Sequence, residues 1–341
     1  MQIKTGGSGS WDIIDNLLGG ITIPRMVRVK QNFIHPEPID VPTAIASQLE
    51  SPKWWKNFHK GDTVAIAVGS RGIENQVAAV RTIVATIKKR GGVPFIIPAM
   101  GSHAGATAAG QTAMLEGMGY TVEQVGAPIH ATMDTVELGR TLEEDLPVLT
   151  DRLGYEADHL VIINRIKPHV CFRGKYESGL MKMITIGLGK QKGAEIAHNL
   201  GFGHMPAHVQ MIAQEALKKL KVLFAVGLVE NAFHETCIAQ VMHGHEIADK
   251  EPVLLDLAKR YTPKIHLEKF DALIIDEIGK NISGSGFDTN VVGRYHSEWV
   301  SGGPVIKRVS ILDISAESKG NGNGLGMADF TTVRAVGKFD F

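Results

Sequence analysis

The sequence predicts an α/β protein of two α/β domains with mostly parallel sheets, and three observations predict it. Short apolar runs, Thr63–Val68 (TVAIAV) and residues 159–163, are bounded by turn residues and are the length of buried strands. Helical spacing over 73–90 separates the first of these from a second strand at 94–98, and strand, helix, strand implies a parallel pair with a right-handed crossover. A chain of 341 residues exceeds one ordinary core, so two domains are the default. The boundary is expected after residue 220, giving domains 1–220 and 221–341.

Taken in order, 27–29 reads as a short strand and 43–49 as a short helix with Thr43 as its cap. Gly91 and Gly92 end the 73–90 helix. The loop 99–108 (AMGSHAGATA) follows the second strand, and a helix runs from it to about Gly117. Residues 120–147 read as short strands and turns. A helix is expected over 206–221, with a basic end (Lys218, Lys219, Lys221) that complements the negative end of its dipole. Val222 then opens a second α/β region: a strand at 222–228, an amphipathic helix at 246–261, and strands at 270–276 and 305–312. Two long glycine-rich loops, 276–296 and 316–329, lie in this region, and such loops in compact domains are usually functional.

Basic and acidic residues balance at 36 each, so no broad field points at nucleic acid or an anionic membrane. No run reaches the roughly 20 apolar residues that span a bilayer. The first 15 residues lack an apolar signal core, and two cysteines are too few for a disulfide framework. A cytoplasmic setting is the expectation.

Open α/β sheets place ligands at the carboxyl ends of their strands. Ser70, Arg71, Ser102, His103 and the stretch 164–198 fall there. That stretch interleaves Lys167, His169, Arg173, Lys182 and His198 with Leu180, Met181, Met183 and Ile184. Apolar density of this kind folds a segment inward, and buried charge must be paired or bound. It reads as the floor of a ligand site.

The turn 69–72 (GSRG) offers helix-start amides and the Arg71 guanidinium to a phosphate or carboxylate; otherwise it is a structural turn. Its spacing matches neither a P-loop nor a dinucleotide fingerprint. His103 in GSHAG and His169 in KPHVCF are acid/base candidates, or histidines satisfied by tight turns. Residue types alone do not separate a racemase from a hydrolase. Lys182 amid apolar neighbours is either a nucleophile or covalent anchor, or a lysine whose stem covers apolar surface. His198, His204 and His208 are candidate metal ligands. No carboxylate completes an H-E-x-x-H motif and Pro206 lies between the last two, so a full zinc site is not expected from spacing.

These same segments resemble the nickel-pincer lactate racemase family, in a shorter lactate racemase-like branch. The resemblance is carried, in order, by residues 69–72, 98–107 (PAMGSHAGAT), 164–183 (NRIKPHVCFRGKYESGLMKM), 187–198 (GLGKQKGAEIAH) and 279–294 (GKNISGSGFDTNVVGR). One departure is the turn before the lysine, which reads Ser-Gly-Leu-Met-Lys where the best-known members carry Ser-Gly-Gly-x-Lys. The resemblance implies a cofactor-binding domain at 1–220, an α/β domain at 221–341 that closes the cleft, and an active site between them. It implies a racemase or epimerase of a 2-hydroxy acid, working by proton-coupled hydride transfer through a 2-keto acid intermediate.

The implied cofactor is the nickel-pincer nucleotide (pyridinium-3,5-bisthiocarboxylic acid mononucleotide nickel), covalent through Lys182, with His198 as nickel ligand. Ser70, Arg71, Ser178 and Gly179 would line it, His103 and His169 would be the acid/base pair, and Arg71, Lys280 and Arg294 would meet the substrate. Implied partners are the small 2-hydroxy acid and the enzymes that mature the cofactor, with a homo-oligomer allowed. Two other readings stay open at this level: a metal-dependent lyase or hydrolase built on His169, His198 and His204, and a non-catalytic protein that binds or delivers a nucleotide-like cofactor.

Overall fold

The structure is a computed structural model that describes residues 13, 16–17, 19–22, 25–70 and 72–340. Its main strands are β1 (Thr63–Val68), β2 (Val93–Pro98), β3 (Thr135–Arg140), β4 (Pro147–Asp151), β5 (His159–Arg165), β6 (Val222–Glu230), β7 (Thr236–Met242), β8 (Lys269–Ile275), β9 (Val305–Ile311) and β10 (Phe330–Thr331). Its longer helices are α1 (Val41–Leu49), α2 (Gln76–Lys89), α3 (Ala108–Gly117), α4 (Lys190–His198), α5 (Met205–Leu217) and α6 (Ile247–Tyr261).

Five strands form one sheet in the order β2-β1-β5-β6-β7. The first four are mutually parallel and β7 runs antiparallel to β6. Strands β3 and β4 make a separate antiparallel pair. The sequence of β1 accounts for the covering of both sheet faces. Alternate residues of a strand point to opposite sides. Val64, Ile66 and Val68 enter one core with Ile45, Leu49, Ile83 and Ile87 of α1 and α2. Ala65 and Ala67 enter the other with Leu180, Ile184 and Ile212. Each fully buried isoleucine or leucine contributes about 1.5–3 kcal/mol. The two alanines keep the second face shallow, so the backbone around residue 184 packs close to the sheet.

The chain divides into two compact units. The larger is Phe33–Lys264 with Thr289–Gly303; the smaller is Ile265–Asp288 with Pro304–Phe341 and the described residues up to Asn32. The smaller holds a three-stranded sheet, β10-β9-β8, with parallel pairing throughout.

The division differs from a boundary after residue 220. Strand β6 pairs with β5 from Leu160 to Arg165, so Val222 completes the first sheet instead of opening a second region. Hydropathy marks β6 as buried but carries no information on which strand it joins. Smaller differences follow the same logic. Asp40, not Thr43, caps α1, its Oδ1 accepting from Thr43 N at 2.7 Å. Residues 27–29 form no strand. Strand β7 and helix α4 were not expected, because Gln240 interrupts one and glycines crowd the other. No helix among the described residues is long and apolar enough to cross a membrane.

Candidate functional site

In the sheet order, β2 lies on one side of β1 and β5 on the other. The chain therefore leaves β1 and β5 in opposite directions, the kind of switch point beside whose carboxyl ends open α/β sheets bind ligands. Ser70 follows β1, His103 follows β2 and the 164–198 stretch follows β5.

Backbone contacts knit these loops together. Gly101 N donates to Gly187 O at 3.2 Å. A side chain at Gly187 would place its Cβ 2.6 Å from Ala99 O, so only glycine permits this approach. The fully buried Lys190 pairs with the equally buried Asp151 at 2.7 Å and donates to Pro98 O at 2.5 Å, tying the start of α4 to the ends of β2 and β4.

His103 is exposed, and its Nδ1 shares a short hydrogen bond with Ser70 Oγ. Arg71, expected to engage cofactor and substrate, lies outside the described residues. Ser178 pairs with Lys167 through both backbone groups, Lys167 N to Ser178 O at 2.9 Å and Ser178 N to Lys167 O at 3.2 Å. Gly179 O accepts from the Asn164 side chain at 3.0 Å.

A Cβ at Gly179 would meet Glu251 Oε1 at 2.2 Å. Glu251 is fully buried in the apolar stripe of α6, and its Oε2 accepts from Met181 N at 2.9 Å. Its other oxygen accepts no hydrogen bond of ordinary geometry among the described residues. Burial pushes this carboxyl up to about 7, against the pull of the Met181 and Leu180 amides.

Lys182 closes the short helical turn Leu180–Lys182, and the backbone then widens into a π turn, Met183–Gly187, with Leu188 N donating to Met183 O at 2.8 Å. Such widened turns recur at functional sites. Lys182 Nζ lies 2.7 Å from His169 Nε2. His169 is 8% exposed and over-determined by its surroundings. Its backbone N–H donates to Glu177 Oε2 at 2.7 Å, its Nδ1 accepts from Cys171 N at 3.1 Å, and its carbonyl accepts from Arg173 Nη1 at 2.6 Å.

Burial holds this imidazole well below its ordinary range, and the cations of Lys182 and Lys167 add to the effect. Nδ1 faces the Cys171 N–H and Nε2 faces Lys182 Nζ, so both ring nitrogens are engaged.

His198 ends α4, exposed, with Nδ1–H donating to Ala194 O at 2.6 Å, which leaves the Nε2 lone pair uncommitted to that carbonyl. It shares Phe202 with His169: the ring centroids lie 6.0 and 6.5 Å from that phenyl.

Sequence reasoning placed no role on Glu177, Arg173 or Glu251. Glu177 is fully buried, accepting from His169 N and facing Lys259 Nζ at 2.8 Å. Arg173 donates from Nη2 to Asn290, Tyr295 and Ser301, so the 289–303 segment is fastened to the His169 loop. The available signal was a glutamate at a position of α6 where the apolar stripe Ile247, Leu254, Leu255, Ala258 passes. Arg294, just beyond the Thr289–Val292 turn, belongs with the larger unit. Lys280 belongs to the smaller, with Nζ donating to Gly284 O at 2.9 Å. The expectation that both sit in one C-terminal domain is corrected by the return of the chain at residue 289.

His169, His198 and His204 do not form a ligand cluster among the described residues. The three-residue group that does gather there is Glu144, His204 and His208.

A family model described as the lactate racemase N-terminal domain matches residues 24–210, more than half of the chain. No curated protein matches the sequence. Among solved structures, the lactate racemase apoprotein from Thermoanaerobacterium thermosaccharolyticum is similar in fold, with a TM-score of 0.52 at 15% identity, over 83% of this chain and 69% of that one.

Proposed function

Since the chain belongs to the lactate racemase family, we propose that it is an isomerase, a racemase or epimerase of a small 2-hydroxy acid. The observation that carries this reading is the Lys182–His169 contact, which holds the amine against a buried imidazole beyond the end of β5. A lysine that only covered apolar surface would send a charged head to water.

The residues fit the family's nickel-pincer nucleotide. Lys182 would be its covalent anchor, and His198, whose Nδ1 is spent on Ala194 O, would offer Nε2 to the nickel. Ser70, Ser178 and Gly179 would line it, and Arg71, Lys280 and Arg294 remain proposed for the substrate. When bound, this group supplies the hydride acceptor at the substrate carbon.

The chain's own part is proton handling and orientation. One of His103 and His169 would take the hydroxyl proton as a base, and the other, itself protonated, would supply a proton to the oxygen when hydride returns on the opposite face. The hydroxyl must come within roughly 3 Å of an imidazole nitrogen for this. A neutral, depressed His169 is a weak base in the empty pocket. A bound carboxylate offsets the cations around it and restores its basicity, which favours anionic substrates.

The test follows single enantiomers of lactate, malate, phenyllactate and sugar acids with protein produced alongside cofactor-maturation enzymes. Loss of optical rotation for at least one acid, with an added mass on Lys182, is expected. Unchanged rotation across the panel in mass-modified protein would sink the reading.

A further inference from the structure

Beside the end of α4, three side chains converge that the proposed reaction does not use. Glu144 lies in the turn between β3 and β4, His204 immediately precedes α5 and His208 is in its first turn. The His208 ring is fully buried. Its Nδ1–H donates to Ala197 O at 2.9 Å, which fixes the tautomer and aims Nε2 at Glu144 Oε2, 3.0 Å away. Carbonyl-anchored imidazoles of this kind are the usual metal-binding form. With Nδ1–H committed, two lone pairs face one another, and only a shared proton or a metal ion makes the contact favourable.

His204 decides between these. Its ring lies 5.8 Å from that of His208, centroid to centroid, and forms no hydrogen bond among the described residues. A buried ion pair needs no second imidazole. The ligating atoms of all three side chains lie within 4.8 Å of one another. Ligands about 2.0–2.1 Å from a tetrahedral zinc are separated by about 3.3 Å, and the exposed Glu144 and His204 are the two that can rotate inward to reach it.

We propose that Glu144, His204 and His208 bind one divalent transition-metal ion of the zinc type, with at least one coordination position left to water. Two imidazoles and a carboxylate suit such an ion and not magnesium or calcium, which prefer all-oxygen shells. The ion clamps the β3–β4 turn to the start of α5 and, through Ala197, to the end of α4 where His198 stands. The site stands independently of the racemase reading.

The test is titration of chelator-stripped full-length protein with Zn2+, and with Co2+ as a spectroscopic probe. Wild type is expected to take up one ion per chain, with Co2+ absorption typical of four or five ligands. His204→Ala and Glu144→Ala, both at exposed positions, should weaken binding by more than the about 10–100-fold that follows loss of an outer-sphere partner. His198→Ala should bind as wild type does. Absence of stoichiometric uptake, equal affinity in His204→Ala and Glu144→Ala, or loss of binding in His198→Ala would each overturn the assignment. Circular dichroism confirms that the variants are folded, and racemisation is not among the readouts.

Discussion

His103 and His169 stand at corresponding places, each just beyond the carboxyl end of a parallel strand, yet they are held in opposite ways. His103 is exposed and shares a hydrogen bond with the Ser70 hydroxyl. His169 is buried, with Cys171, Lys182, Arg173 and Glu177 all fixing it. The difference teaches that two candidate imidazoles at like places after parallel strands can have unlike surroundings. Burial and the surrounding cations hold the His169 imidazole below its ordinary range.

The largest expected effect comes from removing the contact that makes His169 special. Lys182→Ala should abolish racemisation to the level of cofactor-free protein and eliminate any mass adduct, read by intact mass and polarimetry. Activity retained at wild-type level would break the assignment of the anchor.

Next, His103→Gln and His169→Gln should each lower kcat by about 10²–10⁴, the usual worth of a positioned acid or base. If both act on the proton, each variant slows both directions of the isomerisation. A variant that loses only substrate affinity would demote that histidine to a binding role.

Glu177→Ala tests what holds the buried member. It leaves Arg173 and Lys259 facing an empty apolar space and the His169 N–H unsatisfied, so a loss of about 3–5 kcal/mol is expected in urea unfolding. The equivalent loss of the Ser70 hydroxyl beside His103, Ser70→Ala, should stay within about 1 kcal/mol. Equal costs would erase the contrast.

The smallest effect is a slope. Glu251 rises from 4.5 to about 7 on folding, so the folded protein binds its proton more tightly between those values. Stability from this group is therefore present below pH 4.5 and is lost as pH climbs to 7, by about 3 kcal/mol. His169 works in the other sense: its folded value is lowered, so it costs stability only as pH falls below about 6.5. Glu251→Gln should flatten the alkaline-side decline. Parallel wild-type and variant curves of urea midpoint against pH would show that Glu251 is not the cause.

Much of the larger sheet was legible in the sequence. The run TVAIAV and the spacing of Val80, Ile83 and Ile87 declare a strand and a helix locally, because a side chain's burial repeats with the period of its own backbone. The meeting of the loops after β1, β2 and β5 was legible too, since loops after parallel strands gather on one edge: Ser70 bonds His103 and Gly101 bonds Gly187. His103, His169, Lys182 and His198 stay candidates named from loop position and from motif resemblance.

The pairing of β6 with β5 was not legible, nor was the return of 289–303 to the larger unit, because strand partners are chosen by long-range fit and not by local pattern. Glu177 and Glu251 were equally silent. A glutamate's meaning depends on whether amides and cations from distant segments converge on it once water is gone. The sequence by itself determined which segments become strands and which residue types meet at their ends. Only the tertiary structure decided which charges are buried together and which groups meet the two nitrogens of His169, because desolvation and hydrogen-bond geometry exist only between packed elements.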